Sequence, residues 1–524
     1  MDTISKNPIV INSTVFTAAD ELLKPVNNIR DIPPSFRDFL LHNQWNKTLL
    51  WTAGIVTFLE FIVFKYMYPY AGFFDGGSYA YLETAYRNLD VNVYPVGYSK
   101  FLRIFSAFTH SDVALVAFQY LLLQCSVLYL FFTLSFIYKP GKIIKTLLFI
   151  CFTANPLFLY VSNYVTSDAL FISLSVLWFT TLLWIIYKPT SRQTGIHALL
   201  LLLVFSVRYS ALFYPLIAIL AFLLSRQPLR KKVYGITISI LVIAGFMYHT
   251  SNHYKALTDI RQFSPFSGWQ MANNALFAYR YAQNRDNEDM PARFRQLDAM
   301  VRIYFDTTRN VLANPQEKTI ATSWYMWDAK SPLQIYLQKN YQRDPTTIGN
   351  LKPWATVAPL YADYSSYLIK KYPLEFARFY LLPNAIKYYV PPIEFLGEYN
   401  MGKDSVGAMI QMWFGYKSGK VKTIFKDLKV NVLDFYPITM AIVNILFVLG
   451  VLGFVLLRGI KQWSSMAVAL LLVSSLLVIN MSFSIFAAPI ALRFQVFPLL
   501  VALSFCLLLL EYVFKAAFLT KKPH

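Results

Sequence analysis

Apolar stretches of about 20 residues, the length that crosses a bilayer core, recur along this chain near residues 48–69, 112–137, 143–161, 168–187, 233–249, 435–457, 464–486 and 489–513. Each predicts a membrane-spanning helix. A ninth run, residues 196–225, is interrupted by Ser206-Val207-Arg208-Tyr209-Ser210 and by Pro215, so it reads either as one long kinked helix or as two short helices joined at Arg208. Between the spans the pattern changes. Tyr79, Leu82, Tyr86 and Leu89 recur at helical spacing and predict a surface helix with aromatics toward the membrane; Pro95 then breaks the chain before a second amphipathic piece. Residues 250–434 carry amphipathic stretches at 269–283 and 294–305, enough for a small helical domain. The segment PPSFRDFLLHNQW (33–45) starts like a capped helix with an apolar face, suited to lying along a membrane surface.

Charge decides how these runs are threaded. The connections KPGKIIK (139–145), KPTSR (188–192), RQPLRKK (226–232), RGIK (458–461) and the tail KAAFLTKK (515–522) are basic, and basic loops stay in the cytoplasm. Only a reversal near Arg208 puts all five on one side. The expectation is therefore an all-α polytopic membrane protein of about ten crossings, with both termini inside and Arg208 at an outer tip. Its parts are a cytoplasmic N-terminal segment (1–46), a transmembrane module (47–249) with an outer loop at 70–111, an outer domain (250–434) that is mainly α, and C-terminal spans with a short basic tail (435–524).

Composition agrees. The chain has 524 residues, 56% of them hydrophobic and 15% charged, and a mean hydropathy of +0.42, outside the range of ordinary soluble globules. The net charge of +20 is accounted for mostly by the cytoplasmic loops and so does not point to nucleic acid. Cys125, Cys151 and Cys506 all lie in apolar runs, which excludes a disulfide framework or a zinc pattern built on them. His110, His249 and His253 show no ligand spacing, and no metal is expected. Walker, dinucleotide-binding and nucleophile-elbow motifs are absent from the sequence, which argues against ATP-driven transport and serine hydrolysis.

Four charged positions stand out. Asp75, in GFFDGGSYAYLE (72–83), reads as a helix N-cap, as a catalytic carboxylate, or as both, since a capped aspartate is held rigid and ionised. Asp168, in SNYVTSDALF (162–171), opens a span and has the same two readings. Arg208 and Arg493 are flanked by membrane sequence; such an arginine either snorkels to the interface or meets an anion, and a guanidinium suits phosphate in a bidentate way. In the outer domain, Trp269, Gln270, Asn273 and Asn274 suit sugar recognition by stacking and amide hydrogen bonds, or else a Trp-anchored core; Trp324, Trp327 and Trp354 carry the same pair of readings.

The succession of first span, FDGGSYAYLETA (74–85), VYPVGYSKFLRIF (93–105) and a following span resembles the opening of the GT-C superfamily of membrane glycosyltransferases, in particular the branch of protein O-mannosyltransferases and aminoarabinose-to-lipid A transferases. FSVRYSALFYPL (205–216) resembles that family's short hairpin with an Arg at its turn, and APIALRFQVFPLL (488–500) its final Arg-aromatic segment. Gly76 stands where a Glu often follows the loop Asp, so the likeness carries over to Asp75 alone. The resemblance implies a GT-C-like bundle in a bacterial inner membrane, with the active site and the 250–434 domain facing the periplasm. It implies transfer of a sugar from a polyprenyl-phosphate donor to a protein, lipid or glycan acceptor, with inversion and no further cofactor. Asp75 and Asp168 match the acidic positions, with Asp75 as base; Arg208, Arg493 and Lys100 are the cations for the donor phosphate; Tyr79, Tyr94 and Tyr209 join Trp269 and Gln270 as substrate contacts. Three alternatives stand beside this: an O-antigen ligase or polymerase acting on a lipid pyrophosphate-linked glycan; a lipid or solute transporter, against which the large outer block and the lack of an internal repeat argue; and a non-enzymatic membrane scaffold, which would leave Arg208 and Arg493 in need of another explanation.

Overall fold

The computed structural model describes residues 35–282, 290–307, 323–342, 350–425, 427–487 and 489–519; the segment before residue 35 and the end of the basic tail lie outside them. Eight described helices are long and apolar enough to cross a membrane: Gln44–Met67, Asp112–Tyr138, Lys142–Asn163, Asp168–Tyr187, Leu229–Thr258, Asn431–Leu456, Ser464–Ala487 and Leu492–Phe518. The protein is an all-α, multi-pass bundle, and among the described residues extended pairing is limited to isolated bridges. Rings and aliphatic chains such as Trp51, Phe58, Ile445 and Leu456 point outward, a belt that fits lipid far better than water.

The run at 196–225 is two helices. Ser191–Val207 ends where Arg208 adopts an extended conformation (φ −151°, ψ 128°), and after a short 3₁₀ turn Tyr214–Leu224 begins with Pro215 in its first turn, where a missing N–H costs nothing. The chain reverses there, because His197 of the first helix faces Phe222 of the second, with ring centroids 5.5 Å apart. Pro156 likewise splits Lys142–Asn163, with Asn155 capping its second part by accepting from the Leu157 N–H at 3.2 Å.

The basic connections gather at one end of the bundle. Glu511 accepts from the Gly141 N–H (2.8 Å), and Tyr138 packs edge-on against both Tyr187 and Trp463. A short helix, Phe36–Leu41, is capped by Ser35 and packs Phe36 against Phe136 and Trp184 near this end. At the opposite end lie Asp168, Arg208 and Arg493. The helix Asp168–Tyr187 is the hub: 94% of its apolar 18-residue stretch is buried, against 22% for that of Gln44–Met67. Asp168 is therefore delivered to the middle of its end of the bundle.

The loop after the first span lies over that end. Its helix Gly77–Arg87 buries Ser78, Tyr81, Leu82 and Ala85 and packs on Gly97–Ser106 and Ala408–Phe414. This corrects the expected membrane-facing stripe: Leu82 is fully covered, and Tyr86 stays exposed. Among the described residues, the stretch between residues 250 and 434 feeds two large cores and a small third cluster of Ala278, Phe376 and Tyr380. Tyr254, Trp269, Phe294, Phe305, Tyr325, Trp354 and Tyr361 form a separate one, in which Pro265–Tyr279 lies on Leu351–Lys371 and Gly268 leaves no room for a side chain against the Ala358 carbonyl. Residues 393–433 instead return to the bundle's own core. There the Tyr399 hydroxyl donates to the Tyr70 carbonyl (2.9 Å) and Asn400 accepts from the Phe73 N–H (3.0 Å).

Candidate functional site

Asp168 is the first residue of its helix, not its cap: Ser167 holds the cap position and makes no side-chain capping bond. The carboxylate points sideways to two arginines. One oxygen receives Nη1 of Arg208 at 2.8 Å and the other Nη1 of Arg493 at 3.0 Å, with the Thr166 hydroxyl adding a bond of 2.8 Å. The Asp168 side chain is 3% exposed, the arginines 19% and 15%. The ring of Phe494 lies 4.4 Å from both guanidiniums, with Phe171 on Arg208 and Phe74 and Phe395 on Arg493. Aromatic faces hold desolvated cations well.

Two guanidiniums and one carboxylate leave one positive charge over. Each guanidinium spends Nη1 on Asp168, and no other hydrogen bond to a protein acceptor is formed by either among the described residues; the Nε of Arg493 is buried without a partner. A largely desolvated cation with unused donors has the charge and the hydrogen-bonding capacity to hold an anion.

The loop bearing Asp75 is clamped to this centre. Ser78 accepts from the Phe74 N–H and donates to the Val165 carbonyl, both at 2.8 Å, and the Tyr81 hydroxyl reaches Ser167 at 3.1 Å. Asp75 itself does not cap the helix: Gly76 does, at φ 73°, a conformation that glycine adopts freely. The Asp75 carboxylate is half exposed and pairs with Lys403. Beside it is a cavity of about 270 Å³ between Phe73, Tyr79, Asn400, Lys403 and Ser405; the Tyr79 hydroxyl there accepts from the Gly407 N–H at 2.6 Å.

The other residues singled out in the sequence sit elsewhere. Lys100 is bound to Asn88 (2.9 Å) and Asp90 (3.2 Å) within its own loop. Tyr94 lies against Tyr81, Phe266 and Trp327, one ring away from Ser167. Tyr209 packs on Phe263 at 4.5 Å. Trp269 is wholly buried, stacked on Trp354 and perpendicular to Tyr361, so its ring is enclosed by the core. Gln270 is also buried, donating to Asn274 at 2.7 Å. The sequence reading did not single out Lys403 or the Phe74, Phe395 and Phe494 rings; the local signals were Phe74, next to Asp75, and Phe494, next to Arg493. Comparison of the chain with protein-family models, curated proteins and solved structures finds no match.

Proposed function

We propose that this protein is a GT-C-type membrane glycosyltransferase, which moves a sugar from a polyprenyl-phosphate donor to an acceptor hydroxyl. The observation that carries the reading is the surplus positive charge on Arg208 and Arg493, whose free donors stand at the end of the bundle opposite the basic connections. Those connections favour ten crossings, with the basic end in the cytoplasm and the site on the periplasmic side of a bacterial inner membrane.

The chemistry follows from the donor. Its leaving group departs as a phosphate anion, so the step needs cations at that oxygen and a carboxylate for the acceptor's proton. Arg208 and Arg493 take the phosphate, Asp168 fixes their geometry, and Asp75 takes the proton from an acceptor entering the adjacent cavity. A single displacement at the anomeric carbon inverts it. Mass spectrometry of lipid co-purified with the full chain tests the reading. A polyprenyl-phosphate sugar supports it, a lipid pyrophosphate-linked glycan would favour a ligase-like enzyme, and absence of any polyprenyl species together with inability to transfer sugar from a synthetic donor would overturn it.

A further inference from the structure

The helix Leu382–Tyr389 has its polarity inside out. Its outward positions, Leu382, Pro383, Ile386 and Tyr389, continued by Val390, are all apolar or aromatic, while Asn384 and Tyr388 are buried. Leu382 is 58% exposed and Ile386 63%, the reverse of what a helix facing water displays. Its partners set its depth. It packs on Tyr436–Leu456 and Ser464–Ala487, both parts of membrane-length helices. The Asn384 amide donates to the Ile485 carbonyl at 3.2 Å and the Tyr388 hydroxyl accepts from the Asn480 amide at 3.1 Å, so the helix runs antiparallel to Ser464–Ala487 and into the bundle. Asn480 lies seven residues before the end at Ala487, about 10 Å along the axis, and Tyr388 stands at that level. The exit from the helix suits a dry setting as well. Pro391 and Pro392 follow, with no N–H to satisfy, and the Pro392 carbonyl accepts from the Leu492 N–H at 2.9 Å; an unpaired backbone group in hydrocarbon costs several kcal/mol.

We propose that Leu382–Val390 is a re-entrant segment, immersed among the acyl chains of the leaflet at the Arg208–Arg493 end of the bundle, and not part of a water-exposed domain. The lipid-facing belt continues into it without a break in chemistry: Ile438 and Ile442 on the neighbouring Tyr436–Leu456 are outward and exposed, as Leu382 and Ile386 are. Arg378 is exposed one turn before Leu382, at the level where a guanidinium reaches headgroup phosphates, and the half-buried Lys387 has a stem long enough to carry its charge to the same interface. Just ahead of Leu382, Phe376 and Tyr380 pack with Ala278, so the chain passes from the second core's side straight into the leaflet. Its far end leads through residues 391–394 to Phe395, whose ring lies 5.3 Å from the Arg493 guanidinium. Lipid and the buried arginine are thereby separated by this one segment, a placement that does not depend on sugar transfer.

Spin labels on single cysteines at Ile386 and Val390 test it, in the full chain with Cys125, Cys151 and Cys506 replaced by alanine and reconstituted in vesicles of phosphatidylcholine and phosphatidylglycerol. Collision is read with oxygen, which concentrates among acyl chains, and with a water-soluble nickel chelate. Leu449, exposed on a span, and Lys339, exposed beside the second core, are the references. Labels at Ile386 and Val390 should collide with oxygen several-fold more than with the chelate, as at Leu449, and Lys339 should show the reverse. Labels that meet the chelate as Lys339 does would overturn immersion. Labels shielded from both reagents would overturn it too, in favour of a contact with a second copy of the chain. If Ile386→Cys does not fold, Leu382→Cys takes its place in the same comparison.

Discussion

The guanidinium of Arg493 rests on the ring of Phe74 at 4.3 Å, so the residue that follows Phe74, Asp75, is tied through one peptide to a cation of the proposed anion site. That contact joins the loop carboxylate and the two membrane arginines into one structure.

Asp168 neutralises half of a buried double charge. Asp168→Asn should destabilise the protein by about 3–5 kcal/mol, because it leaves two guanidiniums facing each other without a counter-ion. Adding Arg493→Met to that variant should recover part of the loss. Thermal unfolding of the single and double variants in one detergent checks this, and a double variant no more stable than Asp168→Asn would refute it.

Asp75 and Lys403 form a half-exposed pair, and such pairs contribute about 0–1 kcal/mol. Asp75→Asn should therefore leave the melting temperature nearly unchanged while lowering transfer on the order of 10²-fold or more, the scale of losing a general base. Full activity in the folded variant would remove Asp75 from the chemistry.

Trp269 fills the second core. Trp269→Ala should cost about 3–5 kcal/mol and leave donor affinity per folded molecule unchanged. A selective loss of donor or acceptor binding in a stable Trp269→Phe variant would instead point to a ligand contact.

Gly97 sits where an added methyl group would fall 2.5 Å from the backbone of Ser206, two residues before Arg208. Gly97→Ala should destabilise by about 1–3 kcal/mol and also weaken donor binding, since the turn holding Arg208 must shift. Donor affinity unchanged in the destabilised variant would show that the turn absorbs the strain without moving the guanidinium.

The reversal at Arg208 places Ser210 and Ser191 at opposite ends of one helix. Single cysteines there, in a chain stripped of its three native ones, should react with impermeant reagent from opposite faces of sealed vesicles. Reaction of both from the same face would exclude a crossing between them.

The spans and the turn at 208 were legible because long apolar runs and basic connections leave few threadings. Arg208, Arg493 and Asp168 were legible for a related reason, since a charge at a span's end is costly unless paired. Their convergence on one carboxylate was not, because nothing local in SVRYS or ALRFQ names a partner. Asp75 shows the limit more sharply. Its position ahead of a helix suggested capping, yet the two glycines permit a turn that gives the cap to Gly76 and frees the carboxylate for Lys403, 328 residues away. Trp269 carried two sequence readings, and the ring of Trp354 across the second core accounts for its burial.

The helix Leu229–Thr258 has 30 residues, about 45 Å at 1.5 Å per residue, which exceeds a bilayer core of about 30 Å. Its far end places Tyr254 in the second core, with the Tyr254 hydroxyl donating to the Asn92 carbonyl at 2.6 Å. One unbroken rod thus acts as both ruler and protractor. Its length sets how far the second core stands from the bundle, and inserting a single residue would turn that core by about 100° and pull Tyr254 away from the loop it holds.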